Sequence, residues 1–507
     1  MKKIVKVLSL ILVILMVASV FAACGKKDDD KEKDPKDTVA NTTDAGDSGD
    51  GSEQTTEVPD IAVKNWNGQT YRILGRQSPN EVFVHFEVWR EEMPEDVVGK
   101  AVWKRNQDML DNYGIKVVGY LKEDYNNIAT TMIEAGDDVY DLMLLSPETF
   151  NPLAMKGHLY DLYTLDYVNL NHDAWMAYPN KQLTMDGKLF YTTNKFLIQD
   201  KNRYWAMYYN RDMARELNLG RFEDFVFEGK WTIDKVLEVA KIGTYEIDGE
   251  PGLAGGDNWG LYCYEYYNFV QIAFGAGFRF TEHGPDGFPE FLGATDEVMK
   301  RLDKVFSLVA NTDVGFCYKR TPDDRAAKLG LEDCMLNFMF IDGRALIMAG
   351  AMSNLQQMGA YIEFDFGVIP NPKYDEKQEM YHTIPNTGNG SLLGVPATVV
   401  DKEFAGYALE LISEKSVDTS FYAFIEVNSK LQKVQDEDAA MCLQIIYDGV
   451  VYDIAFVNKI GGLFDSFFNT VVTSSTNNYK RVYDRSQNVL KLAMDQVRAA
   501  YAELDKQ

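Results

Sequence analysis

The chain is 507 residues long, 46% hydrophobic and 13% aromatic, with 77 Asp and Glu against 51 Lys and Arg. That length exceeds the ~100–200 residues that one hydrophobic core needs, so two lobes or domains are expected. A formal charge of −26 repels polyanions, which argues against a nucleic-acid partner and against a purely electrostatic hold on anionic lipid.

The first 23 residues carry a secretory pattern. Lys2, Lys3 and Lys6 form a basic start, Val7 to Val20 is apolar apart from Ser9 and Ser19, and small residues close the segment at Ala22-Ala23. A spanning helix needs about 20 apolar residues, and this run is shorter and ends at small side chains. Ala22-Ala23-Cys24-Gly25 resembles the bacterial lipobox. That resemblance implies that Cys24 becomes the first mature residue and carries fatty acyl chains, palmitate among them. From Gly25 to Asp60 there are twelve acidic residues, five Lys and no aromatic residue. Such a composition cannot bury enough apolar surface to offset its ordering entropy, so residues 24–64 read as an acidic disordered tether. At ~5–6 Å × √n, about 35 residues give a coil of roughly 30–35 Å, enough to lift a folded body clear of lipid headgroups.

Order begins near Trp66. Gln69 to Gly75 alternates like a strand, Ala101 to Tyr113 has apolar residues at helical spacing with Gly114 as its stop, and Ile115 to Tyr120 is a second strand. Tyr125 to Ala135 is again helical in pattern, and Tyr140 to Leu145 is a continuous apolar run of the kind buried on both faces. Strand and helix alternating at these lengths predict a parallel α/β sheet. Ligands of open α/β sheets sit beyond the carboxyl ends of the strands, which singles out Arg76 after the first strand and Ser146 and Glu148 after the third.

Tyr140 to Leu145 followed by Leu153 to Leu162 resembles the extracellular solute-binding proteins of ABC importers, in the group that holds maltodextrin- and multiple-sugar-binding lipoproteins. Further matches follow in order: Tyr204 to Met213, Trp231 to Leu237, Asp342 to Gly350, Phe366 to Pro372 and Gly388 to Val399. The resemblance runs from about Tyr71 to Ala500 and rests on the order and spacing of these segments. It implies a two-lobed periplasmic-binding-protein-like α/β fold with two or three interlobe crossings. Lobe one would be residues 65–203 and 368–424, and lobe two residues 204–367 and 425–507 with the C-terminal helices.

Sugars present weakly apolar ring faces and a rim of hydroxyls, so their clefts combine flat aromatic groups with donors and acceptors. Trp259, Tyr264 and Tyr266 lie where sugar-binding relatives contribute stacking aromatics, although any one of them packs a strand against a helix equally well. Trp205 and Tyr208 on the crossing are expected at the cleft wall. Gly350 lets a ligand approach the backbone. Met352 stands where maltodextrin-binding relatives carry tryptophan, a departure that argues against a long maltodextrin. Phe464 offers a further aromatic or a core residue. In Pro385 to Ser391, Asn386 and Asn389 either hydrogen-bond a hydroxyl or shape an ordinary turn. Trp231 before Thr232 reads as a helix staple.

Cys263, Cys317, Cys334 and Cys442 show no Cys-x-x-Cys spacing, which leaves buried thiols or one disulfide and gives no zinc signature. No catalytic or cofactor motif is present, so neither an enzyme nor a cofactor or metal is expected. The sequence therefore points to a monomeric, lipid-anchored binding protein on the outer face of the cell membrane. It would capture a carbohydrate, and an oligosaccharide first, for ABC permease subunits. A surface glycan-processing enzyme and a ligand-sensing subunit for a membrane kinase are the alternatives.

Overall fold

The computed structural model describes residues 61–247, 249, 253, 257–311, 313–318, 338–388, 390–432, 437–462, 471 and 476–506. The chain divides into units 1–57 and 58–507, of which the first, with the leader, Cys24 and most of the tether, lies outside the described residues. The second unit is built on two main sheets, beside which β6 (Thr281–His283) and β7 (Pro289–Phe291) pair as a two-stranded antiparallel ribbon.

In the first sheet, β1 (Gln69–Arg76) pairs in parallel with β2 (Ile115–Lys122) and with β3 (Leu142–Leu145), and β11 (Leu392–Gly394) adds an antiparallel edge to β3. All four residues of β3 are buried, as expected of a strand covered on both faces. Between β1 and β2 runs α1 (Val97–Tyr113), started by Asp96, whose side chain accepts the Gly99 N–H at 2.6 Å. Gly114 ends it at φ 64°, and a β-carbon there would lie 2.3 Å from Asn65 Oδ1, so conformation and space both require glycine. The next helix, α2 (Tyr125–Ala135), ends the same way at Gly136, and α3 (Pro147–Met155) follows β3. Strand–helix–strand order in this half is thus the order read from the sequence.

The second sheet runs β10 (Phe366–Ile369), β4 (Trp205–Asn210), β9 (Ala345–Ala351), β5 (Trp259–Tyr264), β8 (Gly315–Tyr318). β9, β5 and β8 are mutually parallel, and β4 is antiparallel to both β9 and β10. Every residue of β4 and β9 is buried. The helix α4 (Ile233–Gly243) covers β5 and β9. Thr232 caps it by accepting the Lys235 N–H at 3.3 Å, and Trp231, fully buried, donates its indole N–H to the Pro370 carbonyl at 3.0 Å. The Thr232 cap follows the sequence reading, while the Trp231 ring packs on Phe222. Cys263 and Cys442 are buried, whereas the side chain of Cys317 and all of Cys334 lie outside the described residues.

The chain passes from the first sheet to the second along residues 198–205 and returns along 384–391. These two stretches pair, with the Trp205 N–H donated to the Ile384 carbonyl at 3.3 Å and the Asn386 N–H to the Arg203 carbonyl at 2.8 Å. A helical path also joins the halves. Helix α5 (Lys402–Ser416) packs on α1, a π-turn over Val417–Phe421 follows, and α6 (Tyr422–Leu431) and α7 (Glu437–Asp448) lead on to β10. The C-terminal α8 (Tyr479–Leu504) packs on α3, and its Tyr501 ring meets both Phe190 and Phe288. No helix among the described residues is long and apolar enough to cross a membrane.

Close packing of α4 on β5 gives a direct test. A β-carbon at Gly260 would fall 1.9 Å from the Ala240 carbonyl oxygen, backbone against backbone. Gly260→Ala is expected to cost about 2–3 kcal/mol by forced displacement of the helix, read as a lower urea midpoint at unchanged m-value.

Candidate functional site

The carboxyl ends of β1 and β3 form one rim. Arg76 closes β1, and His85 holds it in place: the Arg76 N–H is donated to His85 Nδ1 at 3.0 Å, and the His85 N–H to the Arg76 carbonyl at 3.0 Å. Because Nδ1 accepts, the ring proton sits on Nε2, which faces Ser391 Oγ at 3.0 Å. Burial, with Arg76 and Arg203 nearby, pushes the His85 imidazole down to about 3 and keeps it neutral. The Tyr125 hydroxyl joins the same group through Ser391 and Asn126. At β3, the Ser146 N–H is donated to Asn126 Oδ1 at 3.2 Å and its hydroxyl meets Thr149 Oγ1 at 2.8 Å, so Ser146 is engaged in starting α3. Glu148, exposed on the first turn of α3, pairs with Lys459 at 2.7 Å.

Behind this rim lies a run of five buried polar residues, Gln199 to Arg203, each no more than 3% exposed. Arg203 donates to the Val82 carbonyl and lies 4.0 Å over the Phe83 ring, whose centroid is also 5.0 Å from the Arg76 guanidinium. Asp200 Oδ2 accepts from the hydroxyls of Tyr204 at 3.1 Å, Thr193 at 3.3 Å and Tyr452. Its Oδ1 is buried without a partner among the described residues and faces Gly390, where a β-carbon would sit 3.2 Å away. Lys201 donates to the Asn194 and Leu197 carbonyls at 2.8 and 3.2 Å. Burial pushes Lys201 down to about 8 and Asp200 up, and each opposes the other's shift through its charge. Gln199 donates its N–H to Glu87 Oε1 at 3.1 Å, and burial pushes Glu87 up to about 7. None of these residues has a motif around it. Phe83, Asp200, Lys201 and Arg203 were missed because their partners come from remote parts of the chain.

The second-sheet candidates divide by strand direction. Trp205 begins β4 opposite Ala351, the last residue of β9, at the edge next to the paired 203–205 and 384–386 strands. Its carbonyl accepts from Asn371 Nδ2 at 3.2 Å, and its side chain retains a 9% exposed edge. Tyr208 departs from expectation. Three residues along a strand reverses the face, and Tyr208 is fully buried with its hydroxyl donated to the Ala351 carbonyl at 2.7 Å and its ring near Phe340 and Phe366. Trp259 departs as well: it starts β5 opposite Ala345, six residues and about 20 Å of strand from the Ala351 edge, and is buried there. Tyr264, by contrast, ends β5 at the Ala351 edge and Tyr266 lies in the following helix, Glu265–Gly275, though their side chains lie outside the described residues. Gly350 opens no space, since a β-carbon would meet Asn354 Nδ2 at 3.0 Å and the Tyr208 ring at 3.4 Å. Met352 is fully buried and gives its N–H to the Tyr204 carbonyl at 2.8 Å. Asn386 Oδ1 accepts the Gly388 N–H at 3.0 Å, which makes its carbonyl oxygen a turn former. Asn389 and Phe464 lie outside the described residues.

Arg76, Ser146 and Glu148 therefore stand at the rim formed by the ends of β1 and β3, and Trp205 and Asn386 stand at the paired crossing beside Arg203. Phe83 links the two places, since its ring lies under both Arg76 and Arg203.

No protein-family model matches the chain, and no curated protein matches it in sequence. Solved structures share the fold. The galacto-N-biose-/lacto-N-biose I-binding protein of an ABC transporter from Bifidobacterium longum, in complex with lacto-N-biose, aligns at TM-score 0.53 and 11% identity over 86% of this chain and 99% of its own. A cyclo/maltodextrin-binding protein complexed with maltotetraose aligns at 0.52 and 13% identity over 86% and 96%. The apo form of RafE from Streptococcus pneumoniae aligns at 0.52 and 15% identity over 84% and 98%. The chain thus has the two-lobed α/β fold of these binding proteins.

The buried neutral His85 gives the rim a pH signature. Its folded value near 3 lies below the ordinary 6.5, so the stability it contributes is complete above pH 6.5 and is lost as the pH falls toward 3. The stability difference between the unaltered protein and His85→Gln is expected to shrink by about 1.4 kcal/mol per pH unit between pH 6 and 4, measured by urea unfolding. A pH-independent difference would contradict the assignment.

Proposed function

We propose that this chain is a lipid-anchored extracellular solute-binding protein that captures a carbohydrate between its two lobes and delivers it to an ABC-type permease. The observation that carries this reading is the two-lobed α/β fold, with polar residues at the strand ends of the first sheet close to the paired crossing. The shared fold supports it, since the proteins it matches at TM-scores above 0.5 include ones named for binding lacto-N-biose and maltodextrin.

Within this reading, Arg76, Trp205 and Glu148 contact the ligand, Asn386 shapes the turn beside it, and Tyr264, Tyr266, Asn389 and Phe464 are further candidate contacts. Ser146 and Met352 support the wall from behind. The chain needs no chemistry of its own: a ligand that binds the closed form better shifts the population toward closure. Residues 1–23 direct export and acylated Cys24 holds the protein at the outer membrane face, with two or more acyl chains needed for a stable anchor. The tether then keeps the binding body close to its permease and raises their effective concentration.

The test is a thermal-shift survey of neutral mono- and oligosaccharides with the purified chain. A cognate sugar at a hundred times its Kd adds about 2.7 kcal/mol of stability. It is expected to raise Tm by a few degrees, and Arg76→Ala or Trp205→Ala is expected to weaken its affinity at least tenfold. If no sugar shifts Tm, or if the protein releases cleaved products from oligosaccharides, the reading fails. For the anchor, Cys24→Ser should release the protein into the medium, and retention at the membrane would overturn the acylation.

A further inference from the structure

We propose that His172, Glu410 and Glu414 form a divalent-metal site at the base of the first lobe, of a chemistry that suits zinc. The potential ligand atoms of these three residues lie within 4.8 Å of one another. Glu410 and Glu414 are one helical turn apart on α5 and project from the same face. His172 is brought to them by the 169–175 loop. That loop is fastened to Glu410 itself, whose Oε2 accepts the Asn169 N–H at 3.0 Å and the Trp175 indole N–H at 2.8 Å.

The second carboxylate oxygen points to a ligand. Glu410 is 1% exposed, yet Oε1 of the carboxylate that stands in the cluster has no hydrogen-bond partner among the described residues. A buried carboxylate oxygen left unpaired is costly, and a second carboxylate beside it adds repulsion. Only a proton or a cation relieves both.

An imidazole placed with the two carboxylates favours the cation. Two carboxylates and a neutral imidazole carry a charge of about −2 and balance a divalent ion, with nitrogen and oxygen donors of the type zinc accepts and water completing the tetrahedron. Calcium requires six to eight oxygens and magnesium an octahedral oxygen shell, so this donor set suits neither. At metal–ligand bonds of ~2.0–2.2 Å, tetrahedral donors stand about 3.4 Å apart, so the ligands must draw in by about an ångström. On His172, Nδ1 accepts the Ala174 N–H at 3.1 Å. Ligation through Nε2 moves the proton to Nδ1, and ligation through Nδ1 displaces Ala174, so either exchanges one intraloop hydrogen bond for a metal bond.

The location gives the site a purpose independent of the candidate ligand contacts. Glu414 also receives the Ile61 N–H at 3.3 Å, and farther along α5 the Tyr407 hydroxyl is donated to the Ala62 carbonyl at 2.8 Å and accepts the Lys64 N–H at 3.0 Å. A metal held by α5 and the 169–175 loop stiffens the surface on which the start of the described chain lies.

The full chain, stripped with chelator, is titrated with zinc chloride by isothermal calorimetry and followed by Tm. One equivalent is expected to bind with a rise in Tm. His172→Gln and Glu414→Gln, at partly exposed positions that tolerate an isosteric change, are expected to lose at least tenfold in affinity while keeping the metal-free Tm within a few degrees. Calcium and magnesium arms are expected to give no saturable binding. Absence of zinc binding, equal zinc affinity in the variants, or binding of calcium but not zinc would each overturn the site and leave the carboxyl pair sharing a proton.

Discussion

The structure depends on a buried carboxylate at the junction of its two halves. Asp200 gathers hydroxyl donors from Thr193, Tyr204 and Tyr452, which belong to the approach to the junction, the crossing strand and the last return of the chain. Lys201 beside it supplies the compensating charge while closing the carbonyls of Asn194 and Leu197. Such a group contributes little net stability compared with an apolar packing of the same volume, but removing one member leaves an uncompensated charge in the interior. Its effect is to admit one arrangement of three remote segments. Arg203, Trp205 and Asn386 keep their places at the crossing because that arrangement is fixed.

Closeness at the junction explains why the two sheets communicate through so little backbone. The 203–205 and 384–386 stretches are bonded to each other, and Thr383 pairs in turn with Gly449 and Val451. Extended strands bonded side by side can twist with small changes in φ and ψ spread over several residues, which is the usual way a hinge absorbs a rotation. The sheets themselves, with their central strands buried on both faces, move as bodies.

Local physics made much of this legible in advance. The four buried residues of β3, the helix ends at Gly114 and Gly136 and the Thr232 cap are each specified by a few neighbouring side chains, and the sequence reading placed them within a few residues. The rule that ligands lie at strand carboxyl ends singled out Arg76, Ser146 and Glu148, and the structure places them at the ends of β1 and β3. What failed was what depends on strand order. Trp259 and Tyr264 stand on one strand five residues apart, and only the parallel pairing of β5 with β9 shows which strand end lies at the Ala351 edge. Tyr208 went to the wrong face because it stands an odd number of residues from Trp205 on one strand, where side chains alternate. His85 and Ser391, 306 residues apart, carry no mutual signal in one sequence.

The helical path between the halves is of a different kind, and it limits how the protein can move. From α5 to α6 the backbone stays helical, and a continuous helix resists bending except where its bonding pattern changes. That change is the π-turn over Val417–Phe421. Arg105, buried on α1, spans it by donating to Ser416 at 3.0 Å and to Ser420 at 3.3 Å, and it also holds the Glu87 carbonyl at 2.7 Å. Burial pushes this guanidinium down to about 9, so it sits there at an electrostatic cost that its hydrogen bonds must offset. Any rotation of one sheet against the other has to bend the helix at the π-turn, and the side that bends is the one beyond Ser420, because Arg105 fixes the turn to the first lobe.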